Sequence, residues 1–136
     1  MGMLNKQYTK NYLETIVFTS SPEKLTLLLY TNLVKLIMQA QLAIQEKDLE
    51  KVHNCIVKAK KIILNFKNTL NKKYEISQSM LVMYDYMYRR LTEANIKKDR
   101  DILEEILGYA REMRDTWSQA MIIVNDSLKA ADSRNL

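Results

Sequence analysis

An all-α fold is what this sequence predicts: an antiparallel up-down-up-down four-helix bundle, with a short N-terminal helix or arm packed across it. Three observations predict it. The 136 residues include only 2 Gly and 1 Pro, too few turn-formers for a many-stranded sandwich or barrel. Apolar residues recur at spacings of three and four along four long stretches, the mark of one helix face. Breaks of a few residues separate these stretches, and short loops force antiparallel neighbours.

Residues 1–19 carry Tyr8, Tyr12, Leu13, Ile16, Val17 and Phe18, and are expected to form the short helix or arm. The first bundle helix, about 22–46, starts at Ser20-Ser21-Pro22-Glu23. There a serine caps free N–H groups and proline takes the first helical position, where its missing donor costs nothing. Leu25, Leu29, Leu33, Leu36, Ala40 and Ala43 form its core stripe, centred near Leu29. Asp48 caps a second helix, about 49–70, with Val52, Ile56, Ala59, Ile63, Phe66 and Leu70 inward. A third, about 78–95, carries Met80, Tyr84, Met87, Leu91 and Ala94, and Asp99 caps the fourth, about 100–131. That last stripe runs through Leu103, Ile106, Ala110, Met113, Trp117, Ala120, Val124, Leu128 and Ala131, and the tail 132–136 is expected to fray. No internal repeat or linker marks a second domain, so 1–136 reads as a single helical domain.

Composition excludes several function classes. A lone cysteine excludes an intramolecular disulfide framework and a structural zinc site, and fits a cytoplasmic protein. No apolar run is expected to reach a membrane span, and the N-terminus lacks a signal-peptide apolar region. Hydrophobics at 47% exclude disorder. His53 and Cys55 project about 200° apart on a helix and cannot share a metal. A di-iron bundle needs two Glu-x-x-His motifs, and His53 is the only histidine. A histidine phosphotransfer domain would use His53, but the following Asn54-Cys55-Ile56-Val57 lacks the lysine and glycine typical of that family. Without a Gly-rich phosphate loop either, no enzyme, cofactor or metal is expected.

The net charge is +5, and residues 51–73 contain seven lysines and no acid. Nucleic-acid sites usually add arginine and stacking aromatics along the same face. Here there is no arginine, and the only aromatic, Phe66, belongs to the core stripe. A solvated face that steers an acidic protein partner fits better. A basic adaptor or nucleic-acid-binding bundle is the alternative reading.

A bundle helix needs one apolar stripe, and this chain has more. Leu27, Tyr30, Val34 and Met38 lie 100–180° from the expected core face of the first helix. Val57 and Leu64 on the second helix, and Leu81 and Tyr88 on the third, are pairs seven residues apart. Aligned surplus apolar residues mark a partner groove, and methionine adapts to an irregular occupant. If the first set is a surface stripe, Val34→Asp leaves the fold intact.

The run Thr19-Ser20-Ser21-Pro22-Glu23-Lys24-Leu25-Thr26-Leu27-Leu28-Leu29-Tyr30 resembles the signature of the flagellin export chaperones, the FliS family. So does Leu81-Val82-Met83-Tyr84-Asp85-Tyr86-Met87-Tyr88-Arg89-Arg90-Leu91-Thr92-Glu93-Ala94-Asn95, and Arg111-Glu112-Met113-Arg114-Asp115-Thr116-Trp117 resembles the last-helix motif. The likeness covers about Tyr8 to Leu128. Ser20 stands where the family commonly has alanine, and Thr31-Asn32 where many members have Asp or Asn followed by Gly. The resemblance implies a cytosolic chaperone that binds the C-terminal segment of flagellin. It would prevent premature polymerisation and keep the subunit competent for flagellar type III export. On this reading Leu27, Tyr30, Val34, Met38, Val57, Leu64, Leu81 and Tyr88 receive flagellin side chains. The arm, with Tyr8, Tyr12, Ile16 and Val17, covers a hydrophobic pocket until the client arrives. Export-apparatus or regulatory proteins are further candidate partners. The groove could equally receive a neighbour's helix, which leaves a homodimer open.

Overall fold

The computed structural model describes residues 22–134. Four helices follow in order: α1 Pro22–Gln45, α2 Leu49–Thr69, α3 Ile76–Lys97 and α4 Arg100–Arg134. The protein is all-α over these residues. Each helix packs on its two neighbours around a ring, α1 on α2 and α4, α3 on α2 and α4. Gln41 meets Glu104 and Glu23 meets Trp117, so α1 and α4 run in opposite directions. His53 meets Asn95 and Lys67 meets Asp85, so α2 and α3 do too. The expected arm residues Tyr8, Tyr12, Ile16 and Val17 lie outside the described residues.

Two of the three connections use one device. Lys47 and Lys98 both adopt the left-handed conformation (φ 61° and 52°) that ends a helix. The amides of Asp48 and Asp99 then turn back to Ala43 O and Ala94 O. Each aspartate next caps the following helix: Asp48 Oδ1 accepts from Lys51 N at 3.2 Å, and Asp99 Oδ1 from Asp101 N at 2.9 Å. The third connection is longer. Ser77, buried at its end, donates to Asn71 O and ties the start of α3 to the loop.

The core is drawn from all four helices: Leu33 and Ile37, Ile56 and Ile63, Met87 and Leu91, and Leu103 and Ile106 are almost fully enclosed. Each such side chain contributes about 1.5–3 kcal/mol relative to exposure. Near one end, Phe66 stacks between Tyr30 (centroids 4.4 Å apart) and Tyr84 (5.8 Å). The two phenols share a buried hydrogen bond of 3.0 Å. Burial pushes both pKa values up, because a phenolate there would lose its water.

Several expectations need correction. Tyr30 and Val34 are core residues, not part of an outer stripe. The buried arc of α1 is centred about 60° from Leu29, because the helix packs on two neighbours. Leu29 and Leu36 sit at one edge of that arc, half-buried. α3 begins at Ile76 and ends at Lys97, longer at both ends than the pattern indicates. α4 continues through Ser133 and Arg134, since no glycine or proline follows Gly108 to stop it. Finally, α1 is apolar enough, by length and composition alone, to cross a membrane. In this structure it is a core helix, burying Leu33, Ile37, Ala40 and Ala43 against its neighbours.

Two outcomes follow for stability. Lys98→Gly, which removes the left-handed penalty of a Cβ, should stabilise the fold by about 0.5–1 kcal/mol, and Asp99→Ala should cost about 1 kcal/mol by losing a cap. Denaturant melts read both. The phenol pair holds its protons more tightly when folded than when unfolded, so its contribution is intact below about pH 10 and is lost as the pH rises beyond it. Stability measured from pH 8 to 11 (about the range of that titration) should therefore fall at the alkaline end. The fall should be shallower in the Tyr30→Phe/Tyr84→Phe double variant.

Candidate functional site

At 35 residues, against 24, 21 and 22 for its partners, α4 is about 52 Å long in a bundle about 32–36 Å deep. The indole of Trp117 marks where the others stop: its Nε1 donates to Glu23 O, in the first turn of α1, at 3.0 Å. Residues 118–134 continue for about 25 Å more, and none of them is buried. Yet the apolar pattern persists there. Ile122, Ile123, Val124 and Leu128 are all 56% exposed or more.

Two clefts meet at Trp117 and Ala120. One, of about 430 Å³, lies between the first turn of α1 and the projecting end of α4, and is lined by Glu23, Lys24, Met121, Val124, Asn125 and Leu128. The other, of about 340 Å³, lies between α3 and α4, with Ile76, Met80, Met83, Tyr109 and Met113 on its walls. Tyr30 reaches its floor, so the stacked aromatic trio supports the cleft from beneath. Four methionines line the pair of clefts, and thioethers repack around irregular shapes at low cost. Polar groups are few: Glu23, Lys24, Glu112, Thr116 and Asn125. Such a surface takes up apolar side chains from an extended or helical segment.

A polar network closes the α3–α4 seam outside the cleft. Tyr86 donates to Glu105 at 2.7 Å, Arg90 contacts Glu105 and Glu93, and Lys97 reaches Glu93 at 2.9 Å. Lys97 and then Arg90 hold the Glu93 carboxyl below its ordinary range, while the bond to Glu105 raises the Tyr86 phenol. These partly exposed pairs fix the seam more than they stabilise the fold.

The residues singled out as a second stripe are not gathered into one place. Tyr30 and Val34 are buried, with only Tyr30 touching a cleft. Leu27 is half-buried, and Met38 is exposed on the α1–α4 seam with the Arg111 guanidinium beside its sulfur. Val57, Leu64, Leu81 and Tyr88 fall on the other side of the ring, on α2 and α3, where Lys60 sits 4.6 Å over the Tyr88 ring. Conversely, Met80, Met113, Trp117, Val124 and Leu128, which the periodicity assigns to the core, line the clefts. For Val124 and Leu128 the sequence carries the signal: their stripe outlasts the neighbouring helices and meets none of them among the described residues.

The reactive side chains are placed unhelpfully for catalysis. His53 Nδ1 is bonded to the Asn95 amide at 2.9 Å on the α2–α3 surface. Cys55 is buried, and burial raises its thiol pKa away from the reactive thiolate. Among the described residues, no group of three or more His, Cys, Asp or Glu side chains could hold a metal ion.

Comparison with known proteins agrees on one family. A family model described as "Flagellar protein FliS" matches residues 3–124. The flagellar secretion chaperone FliS of Bacillus subtilis (strain 168) is 46% identical over 110 residues, spanning 81% of this chain and 83% of that protein. The Salmonella typhimurium protein of the same name is 30% identical over 117 residues, 84% of this chain and 87% of the relative. The Escherichia coli (strain K12) one is 27% identical over 118 residues, 85% and 87% respectively.

The burial pattern separates two substitutions that look equivalent in the sequence. Val34→Asp puts a carboxylate into the closed core and should cost several kcal/mol, about 3–5, enough to shift the thermal midpoint strongly. Val124→Asp, on the projecting end of α4, should leave the midpoint within a degree or two, about the effect of a surface change. Circular dichroism melts of both variants check this.

Proposed function

The chain belongs to the FliS family of flagellar secretion chaperones, and from that premise we propose that it binds the C-terminal segment of flagellin in the cytoplasm. By burying that segment it keeps subunits from polymerising early and presents them in an export-competent form. The work is done by binding and not by catalysis. The observation that carries the proposal is the pair of methionine-lined clefts about Trp117, continued by the uncovered apolar residues of α4.

An extended tail laid along α4 would place apolar side chains in the α3–α4 cleft, pass Trp117, and continue against Met121, Val124 and Leu128. Four or five such side chains, at about 1.5–3 kcal/mol each, are needed because ordering a free tail opposes docking. Leu27 lies at the same end of α1 and Met38 on the adjoining seam, and both extend this client surface. Tyr30 contributes from the floor, and Val34 acts only by supporting it from the core. Tyr8, Tyr12, Ile16 and Val17 precede α1, whose first turn forms one wall of the cleft beside the projecting end of α4. On this proposal they cover the apolar surface until the client displaces them. Leu81 and Tyr88 lie farther around the ring, where a tail that wraps beyond α4 would reach them.

Calorimetric titration with a peptide from the flagellin C-terminus tests the proposal. Trp117 is the only tryptophan, so its emission should shift as the cleft loses water. Val124→Asp and Met113→Asp should each weaken binding by about tenfold or more, the effect of losing one buried side chain and stranding a charge. An absence of heat, or affinity unchanged in both variants, would overturn it.

A further inference from the structure

Charge divides this molecule in two. Residues 22–74, which form α1 and α2, carry ten lysines and four acids, whereas 75–134 carry nine basic and eleven acidic residues. All the arginines are in the second half. The excess concentrates on the outer face of α2. There Lys51, Asn54, Lys58, Lys61 and Asn65 follow at spacings of three and four, and all are exposed. The fold uses the other two lysines of this helix's central and last turns: Lys60 lies over Tyr88, and Lys67 pairs with Asp85. Among the described residues, no carboxylate forms an ion pair with Lys51, Lys58 or Lys61. The nearest acids along the chain, Glu46, Asp48 and Glu50, fence only the N-terminal end of the face.

Beside the lysines runs a short apolar row. Val57 is half-buried and Leu64 is 39% exposed. They are seven residues apart, with Lys61 one turn from each. From Leu64 across Lys61 to Lys51 the face covers about 140° of the helix and, along its axis, about 20 Å. Those are the dimensions of one partner helix of some four turns, with apolar anchors on one edge and a row of acids on the other.

We infer that the outer face of α2 is a second docking surface, which takes an acidic amphipathic helix of a partner protein distinct from the client tail. Charge complementarity steers the encounter, and Val57 and Leu64 supply the contact that holds it. A nucleic acid is the poorer fit: the face has no arginine fork and no exposed aromatic platform, while asparagines and two aliphatic side chains occupy the places between lysines. The clefts at Trp117 are built by α1, α3 and α4 without α2. Both surfaces can therefore be occupied together. This assigns Val57 and Leu64 to a partner other than flagellin.

A synthetic amphipathic helix, with leucine along one stripe and glutamate along the next, is the probe, titrated into the full chain at physiological salt. Binding should be weakened about tenfold by Lys58→Glu/Lys61→Glu and by Leu64→Ser separately. It should be unchanged by Val124→Asp and by saturating flagellin peptide. No binding, or indifference to Leu64→Ser, would overturn the inference, the latter showing mere charge attraction. Tighter binding of a single-stranded oligonucleotide of equal charge would also overturn it, in favour of a nucleic-acid surface. Displacement of the probe by flagellin peptide would return Val57 and Leu64 to the client site. Loss of flagellin binding in Val124→Asp bears only on the client proposal, so the two can fail separately.

Discussion

The length mismatch between α4 and the helices it packs on is the constraint from which the rest of this structure follows. An apolar stripe in a bundle is stable only where another helix removes it from water. Among the described residues, α1 reaches no farther than Pro22 while α4 continues from Trp117 to Arg134, and its stripe continues with it. The uncovered portion is part of the sequence's own register. Val124 and Leu128 stand at the same spacings that put Leu103, Ile106 and Ala110 in the core. One helix thus serves as core in its first half and as an exposed apolar platform in its second.

The platform needs a rigid end to project from, and the aromatic trio provides it. Phe66 between Tyr30 and Tyr84 joins α1, α2 and α3 directly beneath the α3–α4 cleft. The phenols satisfy one another, so no polar atom is left unpaired in a dry environment. Among the described residues no buried side-chain nitrogen or oxygen lacks a partner. The bundle therefore closes beneath the cleft without borrowing from whatever fills it. A client can leave without opening the core, as release at an export gate requires on the proposed function.

Most of the fold could be read in the sequence, because periodicity, proline, and the two Lys-Asp breaks each have local causes. Asp48 and Asp99 are caps in the pattern and in the structure. The site was harder to read for one reason seen twice. Periodicity gives the apolar face of a helix but does not say what covers it. A single narrow stripe on α1 leaves Tyr30 and Val34 outside, whereas contact with both α2 and α4 buries a broad arc that includes them. Val124 and Leu128 share the stripe of Leu103 and Ile106, but beyond Trp117 no described helix lies alongside to cover them, whereas Met113 and Trp117 stay packed against the core while lining the clefts. Comparing helix lengths corrects the second error from sequence alone. Nothing local corrects the first, since the width of a buried arc depends on how many neighbours tertiary packing brings.

The two proposed surfaces differ in the physics by which each would select an occupant. The clefts at Trp117 are mostly apolar and adaptable, with Glu23, Lys24 and Glu112 the charged residues of their lining, so on the client proposal affinity follows the number of apolar side chains a segment can bury, less the cost of ordering it. Salt should affect that binding little. The α2 face is the reverse, with hydrated lysines, fixed spacing and only two apolar anchors. Charge of that kind sets encounter rates and excludes basic partners more than it holds acidic ones. On the α2 proposal, the apolar pair determines how long a partner stays. A chaperone with both can hold a client by burial on α4 while a second protein exchanges rapidly at α2. The ring arrangement lets each event occur without repacking the core they share.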